Sequence, residues 1–97
     1  MTAAEAPSIQ VRVMAVLQKL TNGQKAVSAN GGTVGAVLED VENRYPGFRA
    51  QIYGDDGKIH RFVNVYLNDE DIRYTGGIET PLKSGDVLDI LPALAGG

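Results

Sequence analysis

Asn30-Gly31-Gly32-Thr33-Val34-Gly35-Ala36-Val37-Leu38-Glu39-Asp40-Val41-Glu42-Asn43-Arg44-Tyr45-Pro46-Gly47 carries the single clear helical pattern of the chain. Asn30-Gly31-Gly32 interrupts what precedes it, and Thr33 is a side chain suited to an N-cap. Val34, Val37, Leu38, Val41 and Tyr45 then fall at i, i+3, i+4, i+7 and i+11, which is one face of a helix. Glu39, Asp40, Glu42, Asn43 and Arg44 take the remaining positions, and Pro46-Gly47 closes the segment. The Gly31-Gly32-Thr33 start also has the form of an anion site at a helix N-terminus; capping is the simpler use.

Working outward from the helix, the flanks read as strands. Before it, Ile9, Val11, Val13, Ala15 and Leu17 alternate with Gln10 and Arg12, a strand pattern over Ile9–Leu17. Thr21-Asn22-Gly23 signals a hairpin turn, with Gln24–Ala29 as the returning strand and Val27 inward. After it, Phe48–Arg61 resists assignment apart from a turn at Asp55-Asp56-Gly57. Phe62–Leu67 is a second clear strand with Val63, Val65 and Leu67 facing in. Asn68-Asp69-Glu70-Asp71 reads as a polar turn and Ile72-Arg73-Tyr74 as a short return strand. Gly76-Gly77 and Ser84-Gly85-Asp86 frame a loop in which Ile78 and Leu82 are expected to reach the core. Val87–Leu91 is the last strand, with Leu88 and Ile90 buried.

The order β-β-α-β-β-β gives an α+β chain. A hairpin, a crossing helix and the remaining strands form a mixed sheet of four to five strands gripping one main helix, with few topologies open to it. This is the β-grasp arrangement of ubiquitin-like proteins. With 97 residues it is expected to be one domain, with residues 1–8 as a flexible N-terminus and residues 92–97 as a flexible C-terminal tail. Apolar residues at 43% and charged residues at 22% fit an ordinary soluble globular protein, and cytoplasmic localisation is the expectation. No stretch approaches the about 20 apolar residues needed to span a bilayer, and the first residues lack a secretory pattern. Cysteine is absent, so any sulfur chemistry requires a partner to supply the sulfur. A net charge of −3 and a pI near 4.9 argue against nucleic-acid binding and are compatible with docking onto a basic partner.

The tail after the last strand, Pro92-Ala93-Leu94-Ala95-Gly96-Gly97, is where chemistry is expected. Glycine lacks a Cβ, so Gly96-Gly97 can thread a channel too narrow for side chains. The terminal carboxylate is ionised at neutral pH and can attack the α-phosphate of ATP. Six residues beyond Leu91 extend about 20 Å. Alone, the same tail also fits a frayed end.

Phe62-Val63-Asn64-Val65-Tyr66-Leu67-Asn68-Asp69-Glu70-Asp71-Ile72-Arg73, then Gly76-Gly77, Thr80, Gly85-Asp86 and Ile90-Leu91-Pro92-Ala93-Leu94-Ala95-Gly96-Gly97, resemble the bacterial ubiquitin-like sulfur carriers of the ThiS/MoaD family, most nearly the branch serving cysteine biosynthesis. A looser likeness runs back through Gly23-Gln24-Lys25 and the helix, while Met1–Ser8 and Pro46–His60 carry little of it. The resemblance implies a protein co-substrate rather than an enzyme. An E1-like adenylyltransferase and sulfurtransferase would use ATP to adenylate Gly97 and convert it to a thiocarboxylate. A pyridoxal-phosphate-dependent cysteine synthase would accept that sulfur, and a zinc metallopeptidase would release the cysteine. ATP and pyridoxal phosphate belong to those enzymes, and no cofactor, metal, nucleic acid or membrane is expected on this chain.

Gly97 is therefore the expected sulfur-bearing residue and Gly96 its companion in the channel. Tyr66 and Leu91, on the outer face of the sheet by strand alternation, are expected to dock the partner together with Pro92, Ala93, Leu94 and Ala95; isolated exposed apolar residues are also ordinary. Asp69-Glu70-Asp71 reads as a solvated turn rather than a metal site. With no Ser, Cys or metal ligand at a meaningful spacing in the sequence, His60 reads as a surface or satisfied residue rather than a catalyst. Four other functions remain open on the residues alone: a thiamine sulfur carrier, a molybdopterin-synthase small subunit, a ubiquitin-like modifier of lysines and an interaction module.

Overall fold

The computed structural model describes residues 7–54, 57–60 and 63–92. Five strands, β1 Ser8–Val13, β2 Ala26–Asn30, β3 Val63–Leu67, β4 Glu70–Asp71 and β5 Val87–Pro92, form one sheet in the order β2-β1-β5-β3-β4. β1 and β5 are parallel, and every other neighbouring pair is antiparallel. The helix α1, Val34–Arg44, covers one face of the sheet, so the α+β, β-grasp expectation holds with five strands.

The alternation read from the sequence explains why the two layers close. Ile9, Val11 and Val13 on β1, Val27 and Ala29 on β2, and Leu88 and Ile90 on β5 are buried under α1. Val34, Val37, Leu38 and Val41 meet them and are fully buried. Thr33 caps α1 by accepting the Ala36 N–H at 3.1 Å, worth about 1 kcal/mol. Tyr45 ends the helix, and Gly47 adopts φ 100°, a conformation open chiefly to glycine.

The chain departs from expectation between these elements. β1 stops at Val13, and Ala15–Thr21 coils as a 3₁₀ helix, so Ala15 is exposed rather than a fourth inward position. Leu17 stays buried, now from the 3₁₀ turn. Asn22 (φ 59°) and Gly23 (φ 82°) then end that helix: both of their N–H groups point at Gln18 O, and no two-residue hairpin loop forms here. The two-residue loop lies instead at Asn68 (φ 49°) and Asp69 (φ 75°), between Leu67 and its partner Glu70. Positive φ at both central positions matches the strand twist.

Ile72–Tyr74, expected as a strand, is a 3₁₀ turn following the short β4. Leu82 is buried as expected, whereas Ile78 is 39% exposed and rests over Gly35. The unassigned stretch after Gly47 holds a short helix, α2 Phe48–Ile52, whose Phe48 and Ile52 are fully buried. The Glu42 carboxylate accepts the N–H groups of Arg49 (2.8 Å) and Gly47 (3.2 Å), supplying from α1 the cap that α2 lacks. Ser8 and Pro92, placed by the sequence in the flexible termini, stand inside β1 and β5, and Pro7 O accepts the Gly31 N–H.

Candidate functional site

β5 is the strand that feeds the C-terminal tail, and its register decides what surrounds the tail's root. Pro92 lies opposite Val63, Leu91 opposite Asn64, and Asp89 opposite Tyr66 on one side and Arg12 on the other. Tyr66 is in turn opposite Asp71. One row therefore crosses four strands on the face away from α1: Arg12, Asp89, Tyr66, Asp71. On that face Leu91, 42% exposed, and the half-buried Tyr66 form the apolar part, as alternation led one to expect, and the half-buried Val87 shares it. The expected residues Ala93, Leu94, Ala95, Gly96 and Gly97 lie outside the described residues.

Polar pairs that the sequence did not reveal frame this apolar centre. Arg12 grips Asp89 with two hydrogen bonds, Nη2 to Oδ2 at 2.7 Å and Nε to Oδ1. Asp89 hydrogen bonding is the chief reason the guanidinium's pKa is raised further. On the other flank, Arg73 binds Asp71 through Nε and Nη2 and reaches Asn64 Oδ1 at 2.8 Å. The Arg73 hydrogen bond holds the Asp71 carboxyl below its ordinary range. Arg12 reads as outward from alternation, but its partner Asp89 comes from far along the chain and is visible only in the register.

At the end of β5 away from the tail, Gly85 (φ 94°) and Asp86 form the turn that launches the strand. Asp86 is buried and accepts the Lys83 N–H at 2.9 Å and the Asn68 amide at 3.1 Å. Those bonds lower its pKa, the Lys83 N–H first. Asn68 also accepts the Val87 N–H at 3.0 Å, so this knot pins the β3–β4 turn to the start of β5.

The remaining sequence-stated positions have structural settings. Asp69 and Glu70 occupy the turn and the first residue of β4, and among the described residues no cluster of three or more His, Cys, Asp or Glu is placed to hold a metal. His60 is half-buried and its backbone bridges Ile52 O and the Val63 N–H. A cavity of about 390 Å³, walled by Ile59, Val63, Val65, Ile72 and Ile78, opens on the helix side of β3 rather than beside Leu91. Among the described residues, no helix is long and apolar enough to cross a membrane.

A grasped helix, this sheet order and a tail leaving the central-strand region define a ubiquitin-like protein. The chain belongs to the ThiS family, whose family model matches residues 11–97. It is 47% identical to the sulfur carrier protein CysO of Mycobacterium tuberculosis over 92 residues, 93% of this chain and 99% of that one. The crystal structure of that CysO superposes with a TM-score of 0.86 over 89% of this chain and 99% of that chain, at 45% identity. The Amycolatopsis orientalis BexX/CysO complex contains a chain 47% identical, with a TM-score of 0.85 over 92% of this chain and 99% of that one. Small archaeal modifier protein 3 of Haloferax volcanii is 30% identical over 92% of this chain and 98% of its own length.

Proposed function

We propose that this chain is a sulfur carrier: a protein co-substrate whose Gly97 carboxylate is activated and loaded with sulfur for transfer, most directly to cysteine synthesis. The observation that carries the reading is the 47% identity, over nearly the full length of both chains, to a protein named a sulfur carrier, in a chain that ends in Gly96-Gly97. The Gly97 carboxylate attacks the α-phosphate of ATP, and pyrophosphate leaves. Sulfide then attacks the carbonyl of the acyl-adenylate, AMP leaves, and a thiocarboxylate remains on Gly97. Both steps take place in an E1-like partner, which supplies the ATP site.

The next step follows from the chemistry of a thiocarboxylate, a better nucleophile than a carboxylate. Its sulfur adds to an aminoacrylate held by a pyridoxal-phosphate enzyme, and a zinc metallopeptidase frees the cysteine and restores Gly96-Gly97. The chain's own part is presentation. The outer face bearing Tyr66 and Leu91 docks on the enzyme, and Ala93 to Gly97 extend about 17 Å into its site. Docking converts each encounter into a reaction at high effective concentration.

A modifier of lysines is the second reading, favoured by the 30% identity to a small archaeal modifier protein. The test is ATP–pyrophosphate exchange by the host's E1-like enzyme. The carrier reading expects exchange that depends on this chain, vanishes on deletion of Gly96-Gly97 and, with sulfide, yields a thiocarboxylate. Lysine-linked conjugates without a thiocarboxylate would support the modifier; exchange unaffected by the deletion would refute both.

A further inference from the structure

We propose that the outer face recognises its adenylating enzyme through two guanidinium groups, Arg12 and Arg73, which receive carboxylates from the enzyme on either side of Tyr66 and Leu91. The inference rests on the carrier reading and adds the chemistry that the docking enzyme must present.

The two arginines stand on opposite flanks of the apolar centre. Arg12 is on β1, Arg73 follows β4, and β5 and β3 with Leu91 and Tyr66 lie between them. At about 4.8 Å between strands, the span from β1 to β4 is about 14 Å. Each arginine roofs its own carboxylate: the Arg12 and Arg73 side chains are 54% and 59% accessible, their partners Asp89 and Asp71 only 14% and 12%. What a partner meets is therefore guanidinium, although the chain as a whole carries a net charge of −3.

The donor count leaves room for a second acceptor. Arg12 spends Nε and Nη2 on Asp89, and Arg73 spends Nε and Nη2 on Asp71 and Asn64. Among the described residues, no acceptor occupies Nη1 of either. A guanidinium has five N–H donors in a fixed fork, so the open edge suits a carboxylate without disturbing the pair beneath. Because that pair already orders the side chain, the second contact loses less conformational freedom than it would on a free arginine. The exposed carboxylates Asp69 and Glu70 sit at the β3–β4 turn, the end of β3 away from Pro92, and Asp69 also acts electrostatically on Arg12. Toward the tail-exit end, Arg73 reaches Asn64, which lies opposite Leu91. The net charge of −3 is compatible with docking onto a basic partner, but this face presents guanidinium and calls for carboxylates instead.

The test is stopped-flow association of the full chain with the host's E1-like enzyme across a salt series. Charge reversal in Arg12→Glu and in Arg73→Glu is expected to slow association on the order of tenfold each, and to raise KM for the carrier in ATP–pyrophosphate exchange much more than it lowers kcat. The paired neutral variant R12Q/D89N, which leaves no unpaired carboxylate, is expected to slow association several-fold with thermal stability retained. Association unchanged or faster in both charge-reversal variants would overturn the inference while leaving the carrier reading in place. Absence of exchange with the unaltered chain would instead remove the carrier reading, and this inference with it.

Discussion

Arg12 on β1 and Asp89 on β5 lie 77 positions apart in sequence and form a two-bonded pair across the parallel seam of the sheet. The seam is the point at which the first and last strands of the fold meet, and it sits on the same row as Tyr66. The pair is surface-accessible on the arginine side, so its worth to folding is small and screened by salt. Replacing Arg12 by Gln is expected to lower the melting temperature by no more than a few degrees at low salt and less at 1 M salt. Thermal unfolding followed by circular dichroism at both salt levels measures this.

The Asp86 knot is expected to matter more. Removing its carboxylate strands the Lys83 N–H and the Asn68 amide where β5 begins. Asp86→Ala should cost about 1–3 kcal/mol, seen as a shifted urea midpoint with unchanged m-value.

The pH dependence follows from the same carboxylates. Asp86, Asp71 and Glu42 all have folded pKa values below their ordinary ones, from the Lys83 N–H, the Arg73 side chain and the Arg49 N–H respectively. A depressed folded value means the folded state holds fewer protons, so their stabilisation is complete above the unfolded values of about 3.9–4.3 and is lost as pH falls through the folded values. Urea unfolding should show little change from these groups between pH 7 and about 5 and a decline below about 4. In Asp86→Ala that decline should be shallower.

Two neighbouring glycines should behave oppositely. A Cβ on Gly31 would lie 2.6 Å from Val37 N and 2.8 Å from Ala36 C, both backbone of α1, whereas one on Gly32 meets nothing within 4 Å. Gly31→Ala forces the start of α1 away and should cost about 1–3 kcal/mol; Gly32→Ala should stay within about 0.5 kcal/mol. Parallel denaturation curves of the two variants check the contrast.

The regular part of this fold was legible because its apolar residues keep strict periods. Ile9, Val11 and Val13 repeat every second residue, Val34, Val37, Leu38 and Val41 follow the helical face, and all are buried where those periods put them. The misreadings fall where a period is too short to declare itself. Ala15 and Leu17 continue the alternation of β1 by chance while the chain coils into a 3₁₀ helix, and Ile72–Tyr74 offers only three residues to judge. α2 hides because its two buried residues, Phe48 and Ile52, form a single turn capped from outside by Glu42.

The candidate site divides along the same line. Tyr66 and Leu91 follow from alternation, and Gly96-Gly97 is read directly from the chain. The Arg12–Asp89 and Asp71–Arg73–Asn64 contacts needed the register of four strands, which no local pattern encodes. Asn68 was read as a turn residue, and its side-chain tie to Asp86 and Val87 emerged only with the turn in place.

The central claim is that Gly97 carries sulfur. Top-down mass spectrometry of the protein isolated under mild conditions, before and after incubation with its E1-like enzyme, ATP and sulfide, tests it most directly. The account expects an oxygen-to-sulfur gain confined by fragmentation to Gly97. Localisation is essential because oxidation of Met1 or Met14 adds nearly the same mass. A cysteine adduct at Gly97 would mark the cysteine branch. A Gly97 that stays unmodified with enzyme, ATP and sulfide all present would contradict the account.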